Sequence, residues 1–113
     1  MKYFSTRGQD GPLGYEDAML SGLARDGGLY LPEKWPKFSS ADIVAMRDLS
    51  YPELAGRVMA PFCDGEIEEV ELARMARDAY AEFDHPDIAP LVELNENLHI
   101  LELFHGPTLA FKD

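Results

Sequence analysis

Cysteine is almost absent from this chain: Cys63 is the only one among 113 residues. A lone cysteine closes no internal disulfide, and without a His or Cys nearby it makes no metal site of ordinary spacing. Cys63 therefore reads as a small buried hydrophobe near a helix end. No apolar run approaches the ~20 residues of a membrane-spanning helix, so no membrane partner is expected. No secretory segment opens the sequence, so a reducing cytoplasm is the expected compartment. Basic residues are scarce and scattered, ten Lys and Arg against 21 Asp and Glu, for a formal net charge of −11. That balance argues against nucleic acid as a partner, because phosphate backbones select clustered cations. It implies solubility and nothing more specific.

What is present describes a globular domain. Hydrophobic residues make up 46% of the chain and charged residues 27%, which separates it from a disordered tail. Tyr3-Phe4-Ser5 reads as a short strand, followed by a polar turn from Gly8 to Gly14 with Pro12 inside it. Tyr15, Ala18, Met19, Gly22 and Leu23 follow helical spacing, and Gly27-Gly28 is the expected stop. Leu29-Tyr30-Leu31 is a brief strand closed by Pro32.

Three further helices follow. Ser39 with Asp42 gives a cap signal ahead of Ile43, Val44 and Met46. Ser50-Tyr51-Pro52-Glu53 gives a stronger one, with an apolar stripe from Tyr51 to Phe62 and a stop or bend expected at Pro61. A helix from about Ile67 to Phe83 carries acids early and Arg74 and Arg77 late, which suits the helix dipole; its charge run reads as a solvated face. Leu91 to Leu94 and His99 to Phe104 alternate as strands, with Asn95-Glu96-Asn97 as hairpin loop or simple connection. The element order β, α, β, α, α, α, β, β implies an α/β (α+β) unit: a small mixed sheet packed against about four helices.

The most informative segment is His105-Gly106-Pro107-Thr108-Leu109-Ala110-Phe111-Lys112-Asp113. Gly-Pro forces a turn after an apolar strand, and Thr108 is a good cap for a helix starting near Leu109. Lys112 would then lie in the first helical turn, with Leu109 and Phe111 holding the backbone against a core. Desolvation and the positive end of a helix both favour a neutral amine, and a neutral lysine amine condenses with an aldehyde. Taken from the residues alone, a surface lysine is the commoner outcome of such a pattern.

The stretch Leu101–Asp113 (LELFHGPTLAFKD) resembles the pyridoxal-phosphate lysine motif of the threonine synthase family, in its bacterial and fungal branch. Four further segments resemble the same family in order: YFSTRG from Tyr3, SGLARDGGLYLPE from Ser21, SYPELA from Ser50 and AYAEF from Ala79. The resemblance implies an N-terminal portion of such an enzyme, cut just past its lysine. Residues 1–103 would be the N-terminal domain and residues 104–113 the start of the pyridoxal-phosphate catalytic domain. The whole enzyme would have the fold type II arrangement.

By that resemblance Lys112 would hold pyridoxal 5'-phosphate covalently and then move protons during conversion of O-phospho-L-homoserine and water to L-threonine and phosphate. The expected partners are that substrate and the C-terminal catalytic domain, with self-association through an exposed apolar face in its absence. The 113 residues alone should be catalytically silent. A packing module and a related phospho-lyase are the alternative readings.

Other residues carry two readings each. His105 touches cofactor or substrate phosphate, or satisfies nearby backbone. Thr108 caps a helix or contacts substrate. Ser5-Thr6-Arg7-Gly8 is an anion loop, with Arg7 a substrate contact, or a strand end with a surface arginine. Asp113 is expected to pair locally. Tyr30 and Trp35 read as core or interdomain packing, and His85 and His99 as structural.

Overall fold

The computed structural model describes residues 1–113. Its elements run β1 (Tyr3–Ser5), α1 (Tyr15–Ser21), β2 (Tyr30–Pro32), α2 (Ser40–Ala45), α3 (Tyr51–Cys63), α4 (Glu69–Tyr80), β3 (Leu91–Asn95) and β4 (Leu98–Leu101). The mixed class and the four helices are those expected from the sequence. The strands divide between two antiparallel ladders, β1 with β2 and β3 with β4, instead of joining in one sheet.

The helix starts follow their cap residues. Ser39 and Asp42 form a reciprocal capping box, as do Ser50 and Glu53, so two otherwise unpaired donors are satisfied at each start. The stops of α1 and α4 differ from expectation, and α3 does not stop at Pro61. Helix α1 ends at Ser21 because Gly22 adopts φ 68°, which a side chain disfavours, so the helix ends well before Gly27. Helix α3 passes through Pro61 to Cys63. Only the bond to the Arg57 carbonyl is forfeited there, and the next turn still closes through Asp64 N–H to the Ala60 carbonyl at 3.1 Å. Helix α4 is shorter than expected at both ends. The Asn95-Glu96-Asn97 alternative resolves as a tight hairpin, with Asn95 opposite Leu98.

Helices α3 and α4 form the main packed pair, and glycine sets their approach. A Cβ at Gly56 would lie 2.9 Å from the Glu69 carbonyl and 3.0 Å from Ala73. Leu72, Ala73 and Cys63 are buried beside this crossing. Strand β1 is fastened to it by Tyr3, whose hydroxyl donates to the Phe62 carbonyl at 2.8 Å. The loop between α3 and α4 reaches back to α1: the Glu66 carboxylate accepts from Tyr15 N–H and Glu16 N–H, each at 3.0 Å. Gly14 leaves room for it, since a Cβ there would fall 2.7 Å from Glu66 Oε1. Only 11 residues are buried, so this small core leaves many apolar side chains at the surface. Trp35 is one of them, lying edge-on against the Phe62 ring rather than in the core. No helix is long and apolar enough to cross a membrane.

Candidate functional site

The lysine segment hangs from the junction of α4 and the β3–β4 hairpin. The Asp84 N–H, just beyond α4, donates to the His105 carbonyl at 3.0 Å, and the Glu102 N–H donates to the Pro90 carbonyl at 3.0 Å. Residues 106–113 then fold on themselves. Asp113 accepts from the Thr108 N–H at 2.8 Å and from the Thr108 hydroxyl, which holds its carboxyl below the usual range. Gly106 is buried against the far end of this loop, where a Cβ would lie 2.4 Å from Asp113 Cβ.

This geometry corrects the expectation of a helix. Residues 109–113 form turns, and Leu109 takes φ 60°, so Thr108 is a loop clasp and not an N-cap. Locally, the Thr108 hydroxyl donates to the Asp113 carboxylate, whereas an N-cap hydroxyl would accept from a helical N–H. Leu109 and Phe111 are exposed by 70% and 73%, so they do not hold the segment against a core. Lys112 is exposed as well, with its Nζ 5.9 Å from the Phe111 ring centroid and no ion-pair partner. Beneath the segment, Tyr51, Tyr80 and Phe83 stack edge to face, and Ala110 and Phe111 border the same shallow cleft.

His105 is engaged on both sides. Its Nδ1 lies 2.9 Å from Asp84 Oδ1 and its Nε2 2.7 Å from Glu102 Oε2. The hydrogen bond to Glu102, followed by that to Asp84, raises its pKa above the ordinary histidine value. His105 thus satisfies neighbouring carboxylates, an arrangement that neither sequence-based alternative foresaw. His85 stands beside it, ring centroids 4.8 Å apart, with Nδ1 accepting from the Asp87 N–H.

Arg7 lies in a different part of the molecule, and the loop that carries it already holds an anion of its own. Asp26 accepts from the Ser5 hydroxyl at 2.6 Å, the Gly28 N–H at 2.9 Å and the Gln9 N–H at 3.0 Å. The Arg7 guanidinium donates to the Asp26 carbonyl at 2.8 Å. Asp10 answers from the other side, accepting from the Arg25 N–H and the Tyr30 hydroxyl, both at 2.7 Å. These bonds, led by Ser5 for Asp26 and by the Arg25 amide for Asp10, lower both carboxyl pKa values. The two acids cross between loops 5–11 and 24–30 and lock them together. Asp10 was not singled out from the sequence; its position before a Gly-Pro turn was the only available signal.

Comparison with known proteins agrees with this arrangement along the entire chain. Residues 2–80 match the family described as "Threonine synthase N terminus". Threonine synthase of Pseudomonas aeruginosa is 51% identical over 113 residues, covering all of this chain and 24% of that enzyme. Threonine synthase of Schizosaccharomyces pombe is 45% identical, covering all of this chain and 22% of that enzyme. A crystal structure of PLP-bound threonine synthase from Brucella melitensis superposes with a TM-score of 0.92 at 54% identity, over 99% of this chain and 24% of that one. The chain belongs to the threonine synthase N-terminal family and spans about a quarter of the length of the enzymes it resembles.

Proposed function

We propose that this chain serves as the N-terminal part of a pyridoxal-phosphate-dependent lyase converting O-phospho-L-homoserine and water to L-threonine and phosphate. Lys112 supplies the amine that holds the cofactor. The observation that carries this reading is an exposed primary amine without an ion-pair partner, at the end of a closed turn, in a chain that matches a PLP-bound threonine synthase over 99% of its length. The donor set fits an aldehyde cofactor through that amine. A phosphate cradle and a partner for the ring nitrogen fall outside residues 1–113 in this reading, because His105, Thr108 and Asp113 already satisfy one another or nearby acids. Isolated, the chain is expected to be inactive.

When bound, pyridoxal phosphate supplies an electron sink for chemistry at the substrate carbons. The Lys112 amine would hold it and would take and return protons as general base and acid. Gly106, Thr108 and Asp113 set where that amine stands. Direct substrate contact by Thr108, His105 or Arg7 has less support, since each is engaged within the chain.

The remaining polypeptide is the proposed partner. Leu91, Leu94, Leu98, Ile100 and Leu101 are exposed on the two-stranded β3–β4 ladder, with Leu109 and Phe111 nearby in sequence. Covering this surface is the role assigned to the remaining polypeptide; left bare, it favours self-association. The boundary near residue 103 belongs to the same proposal, bridged by the Asp84–His105 pairing. The free buried thiol of Cys63 suits a reducing cytoplasm. For residues 3–30 a packing role has its own support, because Asp26 of this chain occupies the donors of Ser5, Gln9 and Gly28.

The test is borohydride reduction of the full-length polypeptide with pyridoxal phosphate, followed by peptide mapping and product analysis. A label confined to Lys112, lost in Lys112→Ala, together with threonine formation, is expected. Labelling elsewhere removes the lysine assignment. Phosphate release without threonine selects a related phospho-lyase instead.

A further inference from the structure

We propose that His105 is the positioning residue of the Lys112 turn, pinning the point from which residues 106–112 leave the scaffold through its bridge between Asp84 and Glu102. The proposal rests on the reading of Lys112 as the cofactor lysine. It assigns His105 a role other than contact with substrate.

Three segments meet at this ring. Asp84 follows α4, Glu102 ends the hairpin, and His105 opens the lysine turn; the ring joins all three at 2.9 and 2.7 Å. The His105 side chain is 15% exposed, so little water competes for either nitrogen. The backbone repeats the connection through the Asp84 N–H and the His105 carbonyl. Beyond it the turn is a closed body: Leu109 N–H donates to the Gly106 carbonyl at 3.1 Å, Asp113 N–H to the Ala110 carbonyl at 3.1 Å, and Thr108 N–H to Asp113. A closed body moves as a unit, so its attachment point decides where Lys112 stands. No ring nitrogen of His105 is left for a phosphate.

Both nitrogens face carboxylates, and only an imidazolium donates from both. The groups around it favour that form. Glu102 and Asp84 are acids, His85 presents a ring whose Nδ1 is already an acceptor, and the nearby Asp113 is occupied by Thr108. Because the folded-state pKa is raised, the bridge is complete below the ordinary histidine value of about 6.5. It persists above that value and is lost as pH rises through the pKa of His105 itself. Placement of Lys112 should follow the same titration.

The experiment has two readouts. In the 113-residue chain, NMR follows the His105 ring together with exchange of the Asp84 and Leu109 amides as pH rises. The ring is expected to titrate above an ordinary histidine, with amide protection falling in step; Glu102→Gln and Asp84→Asn should each lower its midpoint. A ring titrating at or below the ordinary value, or amides indifferent to it, overturns the proposal. In the full-length polypeptide, borohydride labelling of Lys112 by pyridoxal phosphate is followed against pH. Glu102→Gln is expected to weaken cofactor affinity roughly ten- to hundredfold and to move the alkaline limb to lower pH, with partial rescue by Glu102→Asp. Labelling of Lys112 with an unchanged pH profile in Glu102→Gln overturns the His105 role alone. No label on Lys112 in the unsubstituted protein overturns both readings.

Discussion

The Asp26 carboxylate stands 2.6 Å from the buried Ser5 hydroxyl, and the backbone of Gly28 fits directly beneath the pair. A Cβ at Gly28 would lie 2.2 Å from Ser5 Oγ and 3.1 Å from the Arg7 amide. Gly28→Ala should therefore destabilise the chain by about 1–3 kcal/mol, the usual cost of overpacking. Gly8→Ala, with φ 76° but open space around it, should cost only the left-handed backbone penalty of about 1 kcal/mol. Denaturant unfolding of the two variants checks the order.

Acid should loosen the contacts that tie the loops to one another and to α1. Asp10, Asp26 and Glu66 all have lowered pKa values, caused first by the Arg25 amide, the Ser5 hydroxyl and the Glu16 amide respectively. Depressed carboxyl pKa values add stability that is fully present above about 4, the unfolded value. That stability is lost as pH falls through the folded values. Melting temperature measured against pH should decline on this limb, and Asp26→Asn should both lower the neutral-pH plateau and flatten the decline.

At Gly56 two effects oppose each other. Alanine gains about 1 kcal/mol in helix propensity, whereas its Cβ would meet the Glu69 carbonyl at 2.9 Å, an atom fixed in the first turn of α4. Overpacking costs about 1–3 kcal/mol, so the clash wins. Gly56→Ala should lower stability by roughly 1 kcal/mol, measured by urea denaturation, despite being the better helix former.

The Cys63 thiol is fully buried, and burial pushes its pKa up. Only the thiolate reacts readily. Disulfide-exchange reagents should therefore modify Cys63 at the rate of opening of the α3–α4 pair, and the rate should rise steeply with denaturant. Immediate labelling of the native chain would contradict this packing.

Local signals were the legible ones. Ser39 with Asp42, and Ser50 with Glu53, announced two helix starts because a capping box is written in four consecutive residues. The hairpin at Asn95–Asn97 and the burial of Cys63 were similarly within reach. Long-range pairings were not. Nothing near Asp26 in sequence discloses that it would occupy the Ser5–Gly8 loop, and Glu102 gave no sign of meeting His105. In place of the helix expected after Thr108, its hydroxyl donates to Asp113, five residues on, and does not accept from a helical N–H. Propensity cannot register a partner that arrives by folding. The lysine motif was recognisable only as a whole, through family resemblance.

Glu66 completes the start of a seven-residue helix from 50 positions away. A helix that short has almost no life of its own in water, and Gly14 gives it no side-chain cap. Its amino end is therefore closed only where the turn after α3 packs against it. So α1 borrows its permanence from a segment that follows α3, and loosening that turn should fray the helix from its amino end.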